Sequence, residues 1–156
     1  SRAQALMWGG YYPEAAKILS NMYTAGVEIP MVGPDGLKDM GFVQLAGEDA
    51  EGVYASGPTD TSANPLSVYY AGKHQEKFGT APGAFFDNGV AATIALLNAI
   101  NVAQSTDTDK IMAALRSSEV DTPIGRIKFD DKGDAIGVGM SIYKIEGGQY
   151  KEVFKN

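Results

Sequence analysis

Cysteine is absent from the 156 residues. No disulfide, thiolate metal site or cysteine nucleophile is open to the chain, while the compartment stays undetermined because many exported bacterial proteins also lack the residue. Histidine is scarce. His74 is the only one, and it stands in a polar helical stretch beside Lys73 and Glu76, where a solvated surface role is a plainer reading than general-base duty. Basic charge is short: 13 Lys and Arg against 19 Asp and Glu leave a net charge of -6. That balance opposes attraction to phosphate backbones and anionic lipid, so nucleic acid and membrane surfaces are poor partners. No uninterrupted run of about 18 apolar residues is present to span a bilayer. Ser1–Gln4 has nothing of the basic start of a signal peptide, and the expectation is that a signal was removed or that the chain starts late.

What is present is an ordinary globular composition, 44% hydrophobic and 21% charged, enough for one core. Ala5–Trp8 is an apolar stretch ending at Gly9-Gly10, and Pro13-Glu14 opens a helix-period run through Ile18, Leu19, Met22 and Tyr23 to Gly26. A second unit of the same kind follows: a strand at Ile29–Val32, a turn at Gly33-Pro34-Asp35-Gly36 and a short helix at Leu37–Leu45. Glu51–Ser56 reads as a third strand. Strands alternating with helices at this spacing predict an α/β fold with a parallel sheet, whose ligands sit beyond the carboxyl ends of the strands. Both glycine-rich loops occupy such ends.

A boundary falls near Gly57–Asn64, where Pro, Ser, Thr and Asn dominate. Helices are then expected near Pro65–Phe78, Phe85–Ala103 and Asp107–Ser117, the last capped by Asp107. The end is β-rich, with strands at Ile124–Phe129, Gly137–Ile145 and Tyr150–Phe154 and a turn at Asp130-Asp131-Lys132-Gly133. Phe85–Ala103 carries apolar residues around much of its circumference, the pattern of a helix buried on several sides.

Groups that could carry chemistry are few. Gly137-Val138-Gly139 lacks the third glycine and following helix of a dinucleotide fingerprint, and no phosphate-loop lysine occurs. Asp130, Asp131 and Asp134 resemble half a calcium loop, but the glycine is misplaced and no glutamate closes the set, so a hairpin turn is the better account and no metal or cofactor is expected. No nucleophile and base can be paired, which argues against an enzyme. Tyr11-Tyr12 lies in a loop after a strand, where one ring can face a cleft while the other packs. Asp35 is more pointed, since the flanking Gly33, Pro34 and Gly36 make a rigid turn that fixes a carboxylate at a strand end, able to accept from an ammonium. An Asx-turn is the bland alternative. Phe85 and Trp8 offer apolar wall and no charge, with core packing the default for Phe85.

Four segments in order carry a family likeness: Trp8-Gly9-Gly10-Tyr11-Tyr12-Pro13-Glu14, Val32-Gly33-Pro34-Asp35-Gly36, Leu45-Ala46-Gly47-Glu48-Asp49-Ala50-Glu51-Gly52 and Thr122-Pro123-Ile124-Gly125-Arg126-Ile127-Lys128-Phe129-Asp130-Asp131-Lys132-Gly133-Asp134. They resemble the branched-chain amino-acid (leucine/isoleucine/valine) binding family of type I periplasmic solute-binding proteins that serve ABC importers. The resemblance implies the type I fold of αβα three-layer lobes, here its C-terminal portion and incomplete. Residues 1–57 would be part of the second ligand-binding lobe, 58–119 the helices returning to the first, and 120–156 a β-rich hinge and C-terminal segment.

By resemblance Tyr11, Asp35 and Phe85 fall on pocket positions. Asp35 stands where leucine-specific members commonly place glutamate, so the carboxylate sits one methylene further back. The implied role is capture of a leucine-like or other apolar amino acid, with hinge closure recognised by a membrane permease, in the periplasm or outside the cell. The alternative is a sensing receptor or regulator of the same fold that takes a small amide or urea-like compound. The resemblance also implies a first lobe upstream that would cover the Phe85–Ala103 helix. Without it the isolated chain is expected to be unstable alone, and to pair with a second copy, by exchange of elements or otherwise, or to be the visible remainder of a longer polypeptide.

Overall fold

A computed structural model describes residues 2–155. The chain divides into two compact units, one built from the residues up to Thr59 together with those from Gly139 onward, the other from Asp60–Val138.

The first unit holds a five-stranded sheet in the order β1-β2-β3-β7-β8. β1 (Leu6–Met7), β2 (Met31–Gly33) and β3 (Tyr54–Pro58) run parallel, as the alternation of strands and helices predicts. β7 (Met140–Glu146) and β8 (Gln149–Lys155) then add antiparallel neighbours. Between β1 and β2 comes α1 (Tyr12–Thr24), with proline in its first turn, where the missing N–H costs nothing. Between β2 and β3 the chain makes a 3-10 turn at Asp35–Leu37 and the short α2 (Met40–Ala46). Ala15, Ala16 and Leu19 of α1, Phe42 of α2, Leu37 and the inward residues Met31, Ala55 and Ile145 form one core.

Several expected boundaries move for identifiable reasons. The helix expected at Leu37–Leu45 begins only at Met40 because Asp39 turns its carboxylate onto the Gly41 N–H (2.7 Å) and becomes the cap. The third strand starts at Tyr54 instead of Glu51, since Gly52 takes a φ of 78° that no strand residue adopts. The strand expected over Gly137–Ile145 is interrupted. Gly137, at φ 92°, packs directly on the Arg126 carbonyl, and the ladder of β7 resumes at Met140.

The second unit consists of α3 (Pro65–Phe78), α4 (Phe86–Ala103), α5 (Thr108–Ser117) and a three-stranded sheet, β4 (Val120–Thr122), β5 (Gly125–Phe129) and β6 (Ala135–Ile136), in that order. Asn64 caps α3 through its bond from the Leu66 N–H (2.9 Å) and donates from Nδ2 to the Thr122 carbonyl (3.0 Å). Asp107 caps α5, accepting from the Lys110 N–H (3.2 Å). The Asp87 carboxylate, in the first turn of α4, accepts from Thr61 Oγ1 (2.6 Å) and Ser67 Oγ (2.5 Å) on a single oxygen.

Within this chain α4 is enclosed on one face only. Only the alanine stripe Ala91, Ala95 and Ala99 is buried, four residues apart on one face, while Leu96, Leu97 and Val102 remain exposed. By length and mean hydropathy, 1.2 over 18 residues, it is the one helix among the described residues that meets the requirement for crossing a bilayer. Asp87, Asn88, Asn98 and Asn101 break the apolar run when it is read residue by residue. Its alanine stripe packs toward α5 and β4, as in a helix that covers protein.

Candidate functional site

The loops after β1 and β2 emerge side by side, because β1 pairs with β2 in parallel and the Trp8 N–H continues the ladder to the Val32 carbonyl (2.9 Å). Each loop carries one of the residues singled out above. From β1 the chain passes through Gly9 and Gly10 to Tyr11, which opens α1 in extended conformation with no side-chain cap. Its ring is 73% exposed. Tyr12 turns the other way and packs on Gly41, so the two adjacent tyrosines divide into one presented and one structural ring.

Trp8 lies half-buried against the core, and its indole N–H donates to the Tyr11 carbonyl (3.2 Å). The indole also lies under Gly10, where a Cβ would come within 2.6 Å of its ring. Trp8 therefore props the loop that presents Tyr11, with its one polar handle already occupied.

From β2 the chain enters the Asp35 turn. The Leu37 N–H donates to the Pro34 carbonyl and the Lys38 N–H to the Asp35 carbonyl, each at 3.0 Å. Lys38 follows at φ -78° and ψ 69°, the centre of an inverse γ-turn closed by the Asp39 N–H on the Leu37 carbonyl (2.9 Å). These bonds show that the turn is not an Asx-turn. An Asx-turn would use its carboxylate, but the main chain closes the turn by itself. The Asp35 side chain is exposed, and among the described residues no hydrogen bond or ion pair engages it. Its neighbour in sequence, Lys38, does not neutralise it, because that ammonium lies over the Tyr143 ring at 3.9 Å from the centroid. Tyr11 meets the same turn, its ring lying against Gly36.

Phe85 belongs to the second unit and is described there. It precedes α4 in left-handed conformation, φ 60° and ψ 11°, a rare state for a bulky residue. The ring is 44% exposed. With Tyr70, Phe86, Val90, Ile94 and Leu97 it lines an open apolar groove of about 630 Å³. Strain of this kind collects at functional positions.

The remaining candidates resolve into structure. His74 is not simply solvated: Nδ1 lies 3.0 Å from the Thr80 carbonyl and so carries the hydrogen, and the ring meets Phe78 at a tilt and Phe86 edge-on. Asp130 spends one carboxylate oxygen on the Lys132 and Asp134 N–H groups, both at 2.9 Å, which makes the acidic cluster a turn. Among the described residues no group of three or more metal-ligating side chains converges.

One residue with a bearing on the turn enters the sequence analysis only as the start of a strand. Tyr150, on β8, donates its hydroxyl to the Leu37 carbonyl (2.5 Å) and approaches the Asp39 carbonyl at 3.4 Å. Burial pushes the phenol well above its ordinary value and keeps it a donor. A contact over more than a hundred residues leaves no local signal.

A family model described as periplasmic binding protein matches residues 1–149. The chain belongs to that family. It is 31% identical over 136 residues to the Leu/Ile/Val-binding protein of Escherichia coli, a match that takes in 87% of this chain and 36% of that protein. It is 28% identical over 141 residues to the leucine-, isoleucine-, valine-, threonine- and alanine-binding protein of Pseudomonas aeruginosa, covering 90% of this chain and 38% of the relative. Among solved structures, the leucine binding protein LivK of Thermotoga maritima superposes with a TM-score of 0.84 at 27% identity, over 97% of this chain and 44% of that one. A solute binding protein of R. palustris in complex with benzoate shares the fold, with a TM-score of 0.78 at 18% identity, over 99% of this chain and 43% of that one. The fold is thus that of the type I periplasmic binding proteins, and the chain spans little more than a third of the length of the curated relatives it matches.

Proposed function

We propose that the chain contributes part of the ligand site of a substrate-binding component of an ABC importer, and that Asp35 holds the α-ammonium of a leucine-like amino acid. The observation that carries this reading is the Asp35 carboxylate: exposed, unengaged among the described residues, and fixed on a turn that closes without it. A carboxylate so placed loses little entropy on binding a cation. Tyr11 beside it supplies apolar wall without a second charge, and Trp8 sets the Tyr11 loop. The periplasm or the cell exterior is the matching location, and a membrane permease that recognises the closed, loaded form is the matching partner.

Aromatic acids are a poorer fit, since benzoate brings an anion and no ammonium to a carboxylate. A small amide, the ligand of the regulator reading, would give Asp35 only neutral N–H donors, which bind about half as strongly as charged ones. Calorimetry on the full-length protein with leucine, valine, benzoate and a small aliphatic amide tests the choice. The expected result is tightest binding of leucine or valine and a loss of about 1.5–3 kcal/mol for Asp35→Asn. Equal affinity of wild type and variant for leucine would remove Asp35 from the site.

A further inference from the structure

The turn that carries Asp35 is held from a distant part of the chain. Within the turn, the Leu37 carbonyl already accepts from the Asp39 N–H and so has one lone pair left. Tyr150 fills it at 2.5 Å, a short bond from a half-buried phenol, with the Asp39 carbonyl at 3.4 Å on the other side of the γ-turn. The Tyr150 ring packs against the core beneath that turn. Leu37 itself is fully buried, and the Gly33 Cα lies so close to its side chain that even a Cβ there would collide. The turn is therefore pinned at its side chain by Leu37 and at its backbone by Tyr150, and only Asp35 is left outward.

On the reading that Asp35 holds the ligand's ammonium, we infer that Tyr150 is a positioning residue for ammonium recognition: through the Leu37 carbonyl it fixes the turn, and with it the direction of the Asp35 carboxylate. It touches no ligand. Its effect falls on discrimination between a ligand that has an ammonium and one that lacks it, because misaligning a charged hydrogen bond costs more than misaligning an apolar contact.

The test is the ratio of affinities of the full-length protein for leucine and for 2-hydroxy-4-methylpentanoate, which keeps the carboxylate and side chain and replaces the ammonium with a hydroxyl. Asp35→Asn should narrow that ratio by about tenfold or more, the equivalent of one charge-assisted hydrogen bond. Tyr150→Phe, which keeps the ring and removes only the hydroxyl, should narrow it by about threefold to tenfold, the range of one neutral hydrogen bond. Tyr143→Phe is the control, since it keeps the ring that faces the Lys38 ammonium and removes only a hydroxyl that donates to the Pro58 carbonyl (2.5 Å). It should leave the ratio unchanged. A general loss of stability would weaken both ligands alike and leave the ratio intact. If Asp35→Asn leaves the ratio unchanged, the reading of Asp35 fails and the role of Tyr150 falls with it. If Asp35→Asn narrows the ratio and Tyr150→Phe does not, only the role of Tyr150 is overturned. Should Tyr150→Phe fail to fold, amide exchange in the wild type decides: leucine should slow exchange at the Lys38 and Asp39 amides more than 2-hydroxy-4-methylpentanoate does, and equal protection by the two would overturn the inference.

Discussion

Gly36 has no side chain where the Tyr11 ring lies: a Cβ there would sit 3.0 Å from Tyr11 Cδ1 and 3.1 Å from the Gly10 carbonyl oxygen. The loop after β1 and the turn after β2 thus share one small space. Gly36→Ala must displace the ring, the backbone or both. Overpacking of this kind costs about 1–3 kcal/mol. Urea unfolding should show that loss, and leucine titration should show weaker binding than the stability change alone explains, because the displaced ring is the exposed one.

Phe85 offers a separation of stability from binding. Its left-handed backbone costs roughly 1–2 kcal/mol, which glycine would release, while the lost ring contacts act in the other direction. Phe85→Gly should leave the thermal midpoint within a few degrees of wild type, with leucine affinity reduced about tenfold if the ring is a pocket wall. Wild-type affinity in this variant would exclude the ring from the site.

Asp87 anchors the start of α4 by accepting from Thr61 and Ser67, while its second oxygen is buried without a partner among the described residues. Asp87→Ala would leave two hydroxyls facing a void at a part-buried position. A destabilisation of about 2–3 kcal/mol is expected in denaturant unfolding, and a double variant with Ser67→Ala should fall short of additivity because both changes remove the same bond.

The exposed pair Asp121–Arg126 is bidentate, at 2.7 and 2.9 Å. The hydrogen bond from Arg126, with its positive charge, holds the Asp121 carboxyl below its ordinary value. A carboxyl depressed in the folded state adds stability that is present above its unfolded pKa and lost as pH falls through the folded one. Comparing urea midpoints of wild type and Asp121→Asn from pH 7 to pH 2, the small difference at neutral pH should vanish at the acid end. It should also shrink in 1 M salt, about a 3 Å screening length, since solvent reaches both partners.

The parallel half of the first sheet was readable because strands, glycine-rich loops and the Pro13 helix start recur at regular spacing. The turn that carries Asp35 was readable as well, since Gly33, Pro34 and Gly36 announce it. Local competition was harder to see. Asp39 looks like one more polar residue in a short helix until its carboxylate is seen to start that helix, and Gly52 and Gly137 reveal their strand-breaking role only through positive φ. Tyr150 was invisible as a support for the turn, because nothing in the alternating pattern of a terminal strand tells which carbonyl a phenol will find. In α4 the burial visible in this chain goes to the alanines, while Leu96, Leu97 and Val102 stay exposed, the faces that the resemblance assigns to an upstream lobe.

One exposed contact bears on how the family can vary. Both oxygens of the Glu51 carboxylate are taken, one by the Gly147 N–H (3.0 Å) and the other by the Gly148 N–H (2.6 Å), in the two-residue connection between β7 and β8. Such a fork measures the loop. Adding or removing one residue would carry at least one amide out of reach and shift every later position of β8, Tyr150 included, to the opposite face of the sheet. Related proteins that keep an acidic residue at this place should therefore keep the loop at a constant length, whereas the turn at Asp130–Gly133, whose carboxylate bonds only its own neighbours, is free to grow or shrink over evolutionary time.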